Sequence, residues 1–427
     1  MMTRLVAMTM AAGFAGTGSA GAPSGMDGIA PAYVKLVLAL GVHDPDYVDA
    51  YYGPPEWRTA AQAAKRPLPE IQSEARRLLA RLVALRPAGH DELLALRHEY
   101  LTRQLEALAT RADMLSGRKL TFDEESQALY NAVAPALSDE YFTKILARLE
   151  PLLPGTGSLA ERYEAYRKRF VIPPDRVSAV FEAAIAECRR RTLPHVDLPA
   201  GEAFTVEYVK GKSWSAYNWY QGGFRSVIQV NQDLPITIDR AVDLACHEGY
   251  PGHHVYNALL EKHLVQDRGW VEFSVYALFS PQSLIAEGTA NYGIEVAFPG
   301  DERTAFERAT LYPLARLDPA LAEGYARVQR EMHGLDYASN EAARRYLEGR
   351  LDAEEAARWL EMHALMSAAR ARQRVKFIEQ YRSYVLNYNL GQDLVRAYVE
   401  KRAPAAGDRW AAFKALLASP RLPGALK

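Results

Sequence analysis

The eight residues His247-Glu248-Gly249-Tyr250-Pro251-Gly252-His253-His254 constrain this chain more than any other stretch. A helix cannot run through them undisturbed. Proline lacks the N–H that would bond to the carbonyl four residues back, here that of His247, and its ring clashes with the same carbonyl. Gly252 then admits dihedral angles closed to other residues. The spacing predicts a helix that bulges over Tyr250 to Gly252 and absorbs two extra residues there. The consequence is chemical, because imidazoles that hold an ion and a carboxylate that takes a proton from water are the kit of a hydrolytic metal site. In the familiar zinc helix H-E-x-x-H the two histidines stand four apart on one face. At about 100° per residue, an interval of six places His253 on the wrong side of an ideal helix, and a bulge returns it to the position of a second ligand. His254, seven residues after His247, shares its face in an unbroken helix but lies roughly 10 Å along the axis. His253 is the expected ligand, and His254 is expected beside the ligands or toward substrate. The reverse assignment stays open.

A second stretch supplies a third ligand: Glu287-Gly288-Thr289-Ala290-Asn291-Tyr292. It sits in a helical run that Ser280 can cap, that Pro281 fits at its first position, and that Pro299-Gly300 ends. The E-G-x-A-x-Y run resembles the helix that brings the third zinc ligand in M1-type aminopeptidases. Together, H-E-x-x-P-G-H-H and the E-G-x-A-x-Y helix resemble a bacterial family of unknown function grouped with the gluzincin metallopeptidases. The resemblance covers Ser213 to Val296, and Thr289 departs from it, since the family more often has tryptophan there. It implies a mainly α, gluzincin-like metallopeptidase fold, with a small antiparallel β-sheet ahead of the zinc helix. It also implies one Zn2+ held by His247, His253 and Glu287, and a peptide as substrate. In gluzincins an edge strand before the zinc helix binds extended substrate through its backbone; Ser226 to Val230 is the candidate here.

The chemistry assigned to these residues follows from their types. Glu248 is the general base that takes a proton from the attacking water and passes it to the leaving amine. His254 or a tyrosine shares the oxyanion charge. Tyr388, in Tyr388-Asn389-Leu390-Gly391, is the tyrosine chosen, with Tyr384 one helical turn before it; the four-residue run resembles a Y-x-x-G element late in the same family. Asn291, one turn after Glu287, is placed to orient a ligand. Two histidines and a carboxylate also describe the facial triad of non-haem iron oxygenases, but Glu248 is redundant for iron and needed for water activation. The same residues would also serve a zinc amidase acting on small amides, or a metal-binding protein without turnover.

Length and charge bound the rest. The 427 residues suffice for a large core, and 52 acidic against 51 basic residues, without a Lys/Arg cluster, argue against a nucleic-acid track. Arg4, the apolar run Leu5 to Ala15 and the small residues Gly18-Ser19-Ala20 read as a signal peptide over residues 1–20. Export to the periplasm or beyond is expected, with no later segment apolar enough to span a membrane. Residues 21–200 read as a helical lobe and 201–427 as the metal-binding lobe. Helices are expected at Tyr33–Leu40, Ile71–Leu85, Glu92–Leu115, Phe122–Ala136, Asp139–Leu149, Ser158–Phe170 and Pro174–Thr192, and from Thr304 onward. The last long helical span, Ala353 to Tyr388, is expected to break near Arg370 to Arg374. Ala203–Val209 and Ser226–Val230 alternate as strands, around an aromatic, glycine-rich loop from Trp214 to Gly223. Cys246 reads as a small core residue rather than a ligand; export permits it to pair with Cys188.

Overall fold

Strong helix formers fill most of the chain, and the computed structural model, which describes residues 25–85, 91–403 and 408–426, is mainly helical. The helix Leu68–Ala84 shows why: Ile71, Ala75, Leu78 and Leu82 recur at intervals of three and four and are the positions it buries. Local capping fixes several starts. Asp91 accepts from the backbone N–H groups of Leu93 and Leu94 at the head of Glu92–Leu115. Thr121 with Glu124, and Ser158 with Glu161, form reciprocal capping boxes. The helix expected over Phe122–Ala136 stops at Tyr130, because Asn131 turns left-handed at φ 54°. The expected signal peptide over residues 1–20 lies outside the described residues.

Five strands interrupt the helices among the described residues: β1 (Val48–Tyr51), β2 (Ala203–Val209), β3 (Ala216–Gly222), β4 (Arg225–Asn231) and β5 (Val275–Ala277). The small sheet just ahead of the histidine stretch is ordered β2-β4-β3. Its β3–β4 hairpin is antiparallel, and β2 joins β4 in parallel along its whole length. Much of the expected aromatic loop is therefore strand β3. Its alternation is visible afterwards, with Asn218 and Tyr220 buried and Trp219 and Gln221 exposed. β4 has partners on both sides, so Ser226–Val230 offers no free edge to a peptide, and that expectation is corrected. A two-stranded antiparallel sheet pairs β1 with β5, bringing a strand from near the start of the chain to the residues just before the Glu287 helix.

Two further contacts tie the first helices to the second half. Arg97 is buried against Glu272 at 2.5 Å, and the Tyr100 hydroxyl donates to Gln282 at 2.7 Å. The expected break near Arg370–Arg374 is also corrected. Those residues lie inside the helix Ala368–Tyr381, as good helix formers should. The chain breaks before it, around Leu365 at φ 50°, and after it, at Arg382 at φ 53°. Buried Glu125 holds the second break by accepting from Arg382 and from the backbone and hydroxyl of Ser383. Past that break runs the helix Leu386–Arg402. It crosses the Glu287 helix, Pro281–Ala297, at Gly288 and Gly391, where a Cβ added to Gly288 would fall 2.4 Å from the backbone of Gly391. Glycine is required there because two helix backbones touch.

Candidate metal centre

The histidine stretch departs from a bulged helix in an instructive way. The helix Asp239–Leu244 passes into a wide π-helical turn, Ala245–Gly249, that carries His247 and Glu248. The chain then leaves the helix altogether, with Tyr250 extended, and a new helix begins at His253 and runs to Leu260. The expected bulge is a full break. Pro251 has no N–H to continue the ladder, and the Gly252 N–H instead bonds back to the carbonyl of Cys246 at 3.0 Å. A Cβ at Gly252 would lie 1.9 Å from the His247 carbonyl oxygen. The turn is closed so tightly that only glycine fits, and this closure folds His253 back beside His247. From below, a disulfide joins Cys246 to Cys188 on the helix Val177–Thr192.

His247, His253 and Glu287 come together, each offering an atom, and the three atoms lie within 4.8 Å of one another. Glu287 Oε2 is 3.2 Å from His247 Nε2 and 3.7 Å from His253 Nε2. The two rings stand perpendicular, 4.6 Å between centroids. The remaining atoms of the group are held by neighbours. His247 Nδ1 donates to the Asn291 amide oxygen at 2.8 Å, and the Asn291 amide N–H donates to the Tyr388 carbonyl at 2.9 Å. Tyr384 donates its hydroxyl to Glu287 Oε1 at 2.8 Å. These contacts fix the rotamers and turn the free imidazole nitrogens inward.

What is left over tests whether a cation fits. Glu287 Oε2 is buried and has no hydrogen-bond partner among the described residues. A buried, unpaired carboxylate oxygen is costly, and here it faces two imidazole nitrogens. Burial alone would raise the Glu287 carboxyl, but the two imidazoles hold it well below the usual carboxylate range. His253 is the converse: burial opposes its charge, yet Glu287 beside it pushes it up to about 9. The group is arranged to hold positive charge, and two nitrogens with one carboxylate oxygen form a donor set suited to a metal ion.

Glu248 follows His247 on the π-helical turn and is buried. Burial, the largest influence, raises its carboxyl above the ordinary range, and His247 and His253 offset this in part. Its backbone carbonyl accepts from the Asn218 side chain at 2.7 Å, which pins the turn to β3. Tyr388 is half-buried, and its hydroxyl acidity responds to burial first and then to Glu287. Its ring centroid lies 5.9 Å from that of Tyr384.

His254 is elsewhere. It is fully buried, with Nδ1 2.9 Å from the Ser226 hydroxyl and Nε2 3.0 Å from Glu202. Both ring nitrogens are engaged away from the three ligand atoms, so the expected place facing substrate is corrected. Glu202 also accepts from the Tyr250 hydroxyl at 2.6 Å and from Arg189 at 2.8 Å. Burial would raise its carboxyl, but bonds from His254, Tyr250 and Arg189 bring it down to about 2. His254 thus anchors the break between the two helices to the sheet.

Three residues at the site escape a reading of the sequence. Tyr384, named only as the neighbour one turn before Tyr388, is the one that touches Glu287, from the short turn Arg382–Val385, while Tyr388 lies on the helix that follows. Asn218 lay in the stretch expected as a loop. Asp49 comes from β1, accepts from the Tyr217 hydroxyl, and is pushed up to about 6 by burial, the largest influence, with His253, Glu287 and Glu248 all in its field. No local signal marks Asp49, since only the pairing of β1 with β5 brings it here.

No protein-family model matches the chain, and no curated protein matches it significantly. Among solved structures it is similar to two bacterial proteins each named "putative lipoprotein". One is from Colwellia psychrerythraea (15% identity over 94% of this chain and 74% of that one, TM-score 0.49). The other, of unknown function, is from Shewanella oneidensis (12% identity, 93% and 81%, TM-score 0.48). A third is the M32 carboxypeptidase from Deinococcus radiodurans R1 (12% identity, 91% and 89%, TM-score 0.48).

Proposed function

We propose that the protein is a zinc-dependent hydrolase that cleaves peptide bonds. The observation that carries this reading is the unpartnered, buried Glu287 Oε2 facing the Nε2 atoms of His247 and His253, with the buried carboxylate of Glu248 one residue from the first histidine. His247, His253 and Glu287 would hold the ion, which when bound polarises the scissile carbonyl and makes water acidic enough to ionise near neutral pH. Glu248 takes the proton from the attacking water and delivers it to the leaving amine; its raised carboxyl suits both halves of that task. Asn291 and Tyr384 keep His247 and Glu287 in orientation. The Tyr388 hydroxyl, beside them, is the donor assigned to the developing oxyanion.

Export of the mature chain rests on the leading residues of the sequence. No helix among the described residues is long and apolar enough to cross a membrane.

The test joins metal analysis to turnover. Purified protein should carry about one zinc per chain and cleave members of a peptide library. Glu248→Gln should retain the zinc and lose about 100- to 10,000-fold in turnover. Stoichiometric iron with an oxygen-dependent product would overturn the hydrolase reading.

A further inference from the structure

Three arginines, Arg240, Arg370 and Arg374, gather on the Tyr388 side of the candidate metal centre, and Arg374 has no partner of its own among the described residues. Arg370 and Arg374 lie one turn apart on the helix Ala368–Tyr381, and both are half-buried. Arg374 packs its guanidinium 5.3 Å from the centroid of Phe377, whose ring is 6.3 Å from Tyr388 and 6.5 Å from Tyr384, the tyrosine bonded to Glu287. Among the described residues Arg374 makes neither an ion pair nor a hydrogen bond. Arg370 donates only to a backbone carbonyl, that of Pro235, at 3.1 Å. Pro235 leads into the helix that carries half-buried Arg240, whose charge acts on both Arg370 and Arg374. Arg240 has a carboxylate partner, Asp243 at 3.1 Å, but Asp243 is shared with Arg303 at 2.7 Å. Glu164 and Asp239 act on Arg370 and Asp336 on Arg374, but none of them pairs with Arg374, and a half-buried guanidinium left without a partner of its own costs free energy that a bound anion would offset.

We propose that Arg374, backed by Arg370 and Arg240, receives a carboxylate of the substrate on the Tyr388 side of the metal centre. The inference rests on the peptidase reading and adds the substrate class: peptides presenting a carboxylate close to the scissile bond. A planar guanidinium binds a carboxylate bidentately, and the neighbouring rings of Phe377, Tyr384 and Tyr388 suit an apolar or aromatic body attached to it. The electrostatics agree. Burial, the largest influence, holds Arg374 and Arg370 below the ordinary arginine range, with Arg240 adding to it and Tyr388 and Asp336 opposing it at Arg374, and Arg167 and Arg240 adding to it and Glu164 and Asp239 opposing it at Arg370. Arg374 also acts on the Tyr388 hydroxyl. The carboxylate has two sources, the free C-terminus of a peptide or an acidic side chain.

The experiment separates these sources, and separates the subsite from the peptidase reading. Calorimetry on zinc-loaded protein compares 3-phenylpropanoate with 3-phenylpropanamide, using wild type, Arg374→Gln and Arg374→Lys. Wild type should bind the acid and discriminate against the amide. Arg374→Gln should lose about 10- to 100-fold in affinity for the acid, the worth of a charge-assisted bond, and Arg374→Lys should recover part of it with zinc content unchanged. Equal binding of acid and amide by wild type, or of the acid by wild type and Arg374→Gln, overturns the proposal. Turnover then uses peptides of one sequence ending in a free acid or in an amide, and amides bearing an internal aspartate. A KM increase in Arg374→Gln confined to free acids assigns the C-terminal carboxylate, and one confined to aspartyl peptides assigns the side chain. Cleavage of no peptide by wild type defeats the peptidase reading, while calorimetry still decides the subsite.

Discussion

Gly252→Ala tests whether the break between the two helices is what builds the metal centre. The substitution leaves all three ligands and Glu248 untouched. It adds one carbon, which in the present backbone would lie 1.9 Å from the His247 carbonyl oxygen and 2.5 Å from that of Cys246. Cβ atoms essentially never approach other atoms within 3.0 Å, and the obstacles are backbone rather than flexible side-chain ends. The turn must therefore open by about 1 Å, and His253, the next residue, moves with it. Zinc ligands tolerate about 0.2 Å, so the imidazole of His253 can no longer share a point with His247 and Glu287. Zinc affinity should fall by at least the 10- to 100-fold that follows loss of a supporting partner. The overpacking itself should cost about 1–3 kcal/mol, which leaves a large domain folded. Competition against a chromophoric chelator reads the affinity, and far-ultraviolet circular dichroism reports that the helices remain. A folded Gly252→Ala protein that binds zinc as wild type does would refute the reasoning, because His253 would then reach its place without the closed turn.

Four more outcomes follow from the same geometry. His253→Ala should abolish zinc binding with the fold retained. His254→Ala should keep the zinc but lower the melting temperature, since it removes one charge-assisted bond to Glu202, worth about 1.5–3 kcal/mol; loss of zinc in His254→Ala alone would reverse the assignment. Glu202 has a folded pKa of about 2 against an ordinary value of 4.5, so its stabilisation is complete above the unfolded value and is lost as pH falls through the folded one. Thermal melts of wild type and Glu202→Gln should accordingly differ most at neutral pH and converge toward pH 2. Removing the Cys188–Cys246 disulfide should cost about 2–5 kcal/mol and weaken zinc binding, because Cys246 precedes His247; melts and chelator competition on the double serine variant check both.

Much of the centre was legible because its chemistry is written locally. His247, Glu248 and His253 sit within seven residues, and Pro251-Gly252 announces that no undisturbed helix passes between them, although the disturbance is a full break and not the expected bulge. Glu287 was found because its helix has a readable start and end. What stayed hidden depends on pairing across long stretches of chain or on small rotations. β1 is four residues long and finds its partner more than two hundred residues later, so nothing near Asp49 marks it. β3 reads as a loop because glycine and aromatic residues mask its alternation. Tyr384 and Tyr388 differ by one turn, and which of them meets Glu287 is set by the break at Arg382, a left-handed residue with no glycine or proline to signal it. His254 was misplaced because the sequence cannot show that Ser226 and Glu202 converge on it.

Two separately braced assemblies meet at the centre. His247 and His253 belong to the turn that the disulfide, Asn218, and the His254–Glu202 contact fasten to the helix and sheet around it. Glu287 belongs to the pair of helices in backbone contact at Gly288 and Gly391, and Tyr384 reaches it from the short turn that Glu125 clamps. Asn291 crosses between them, accepting from His247 and donating to the Tyr388 carbonyl. Each assembly fixes its own ligands, yet neither contains all three. The unpaired Glu287 oxygen marks the seam, and under the proposed function an ion bound there would complete it together with the histidines on the other side. The two glycines at the crossing and the glycine in the turn therefore serve one purpose, which is to bring two backbones close enough for short side chains to reach a common point.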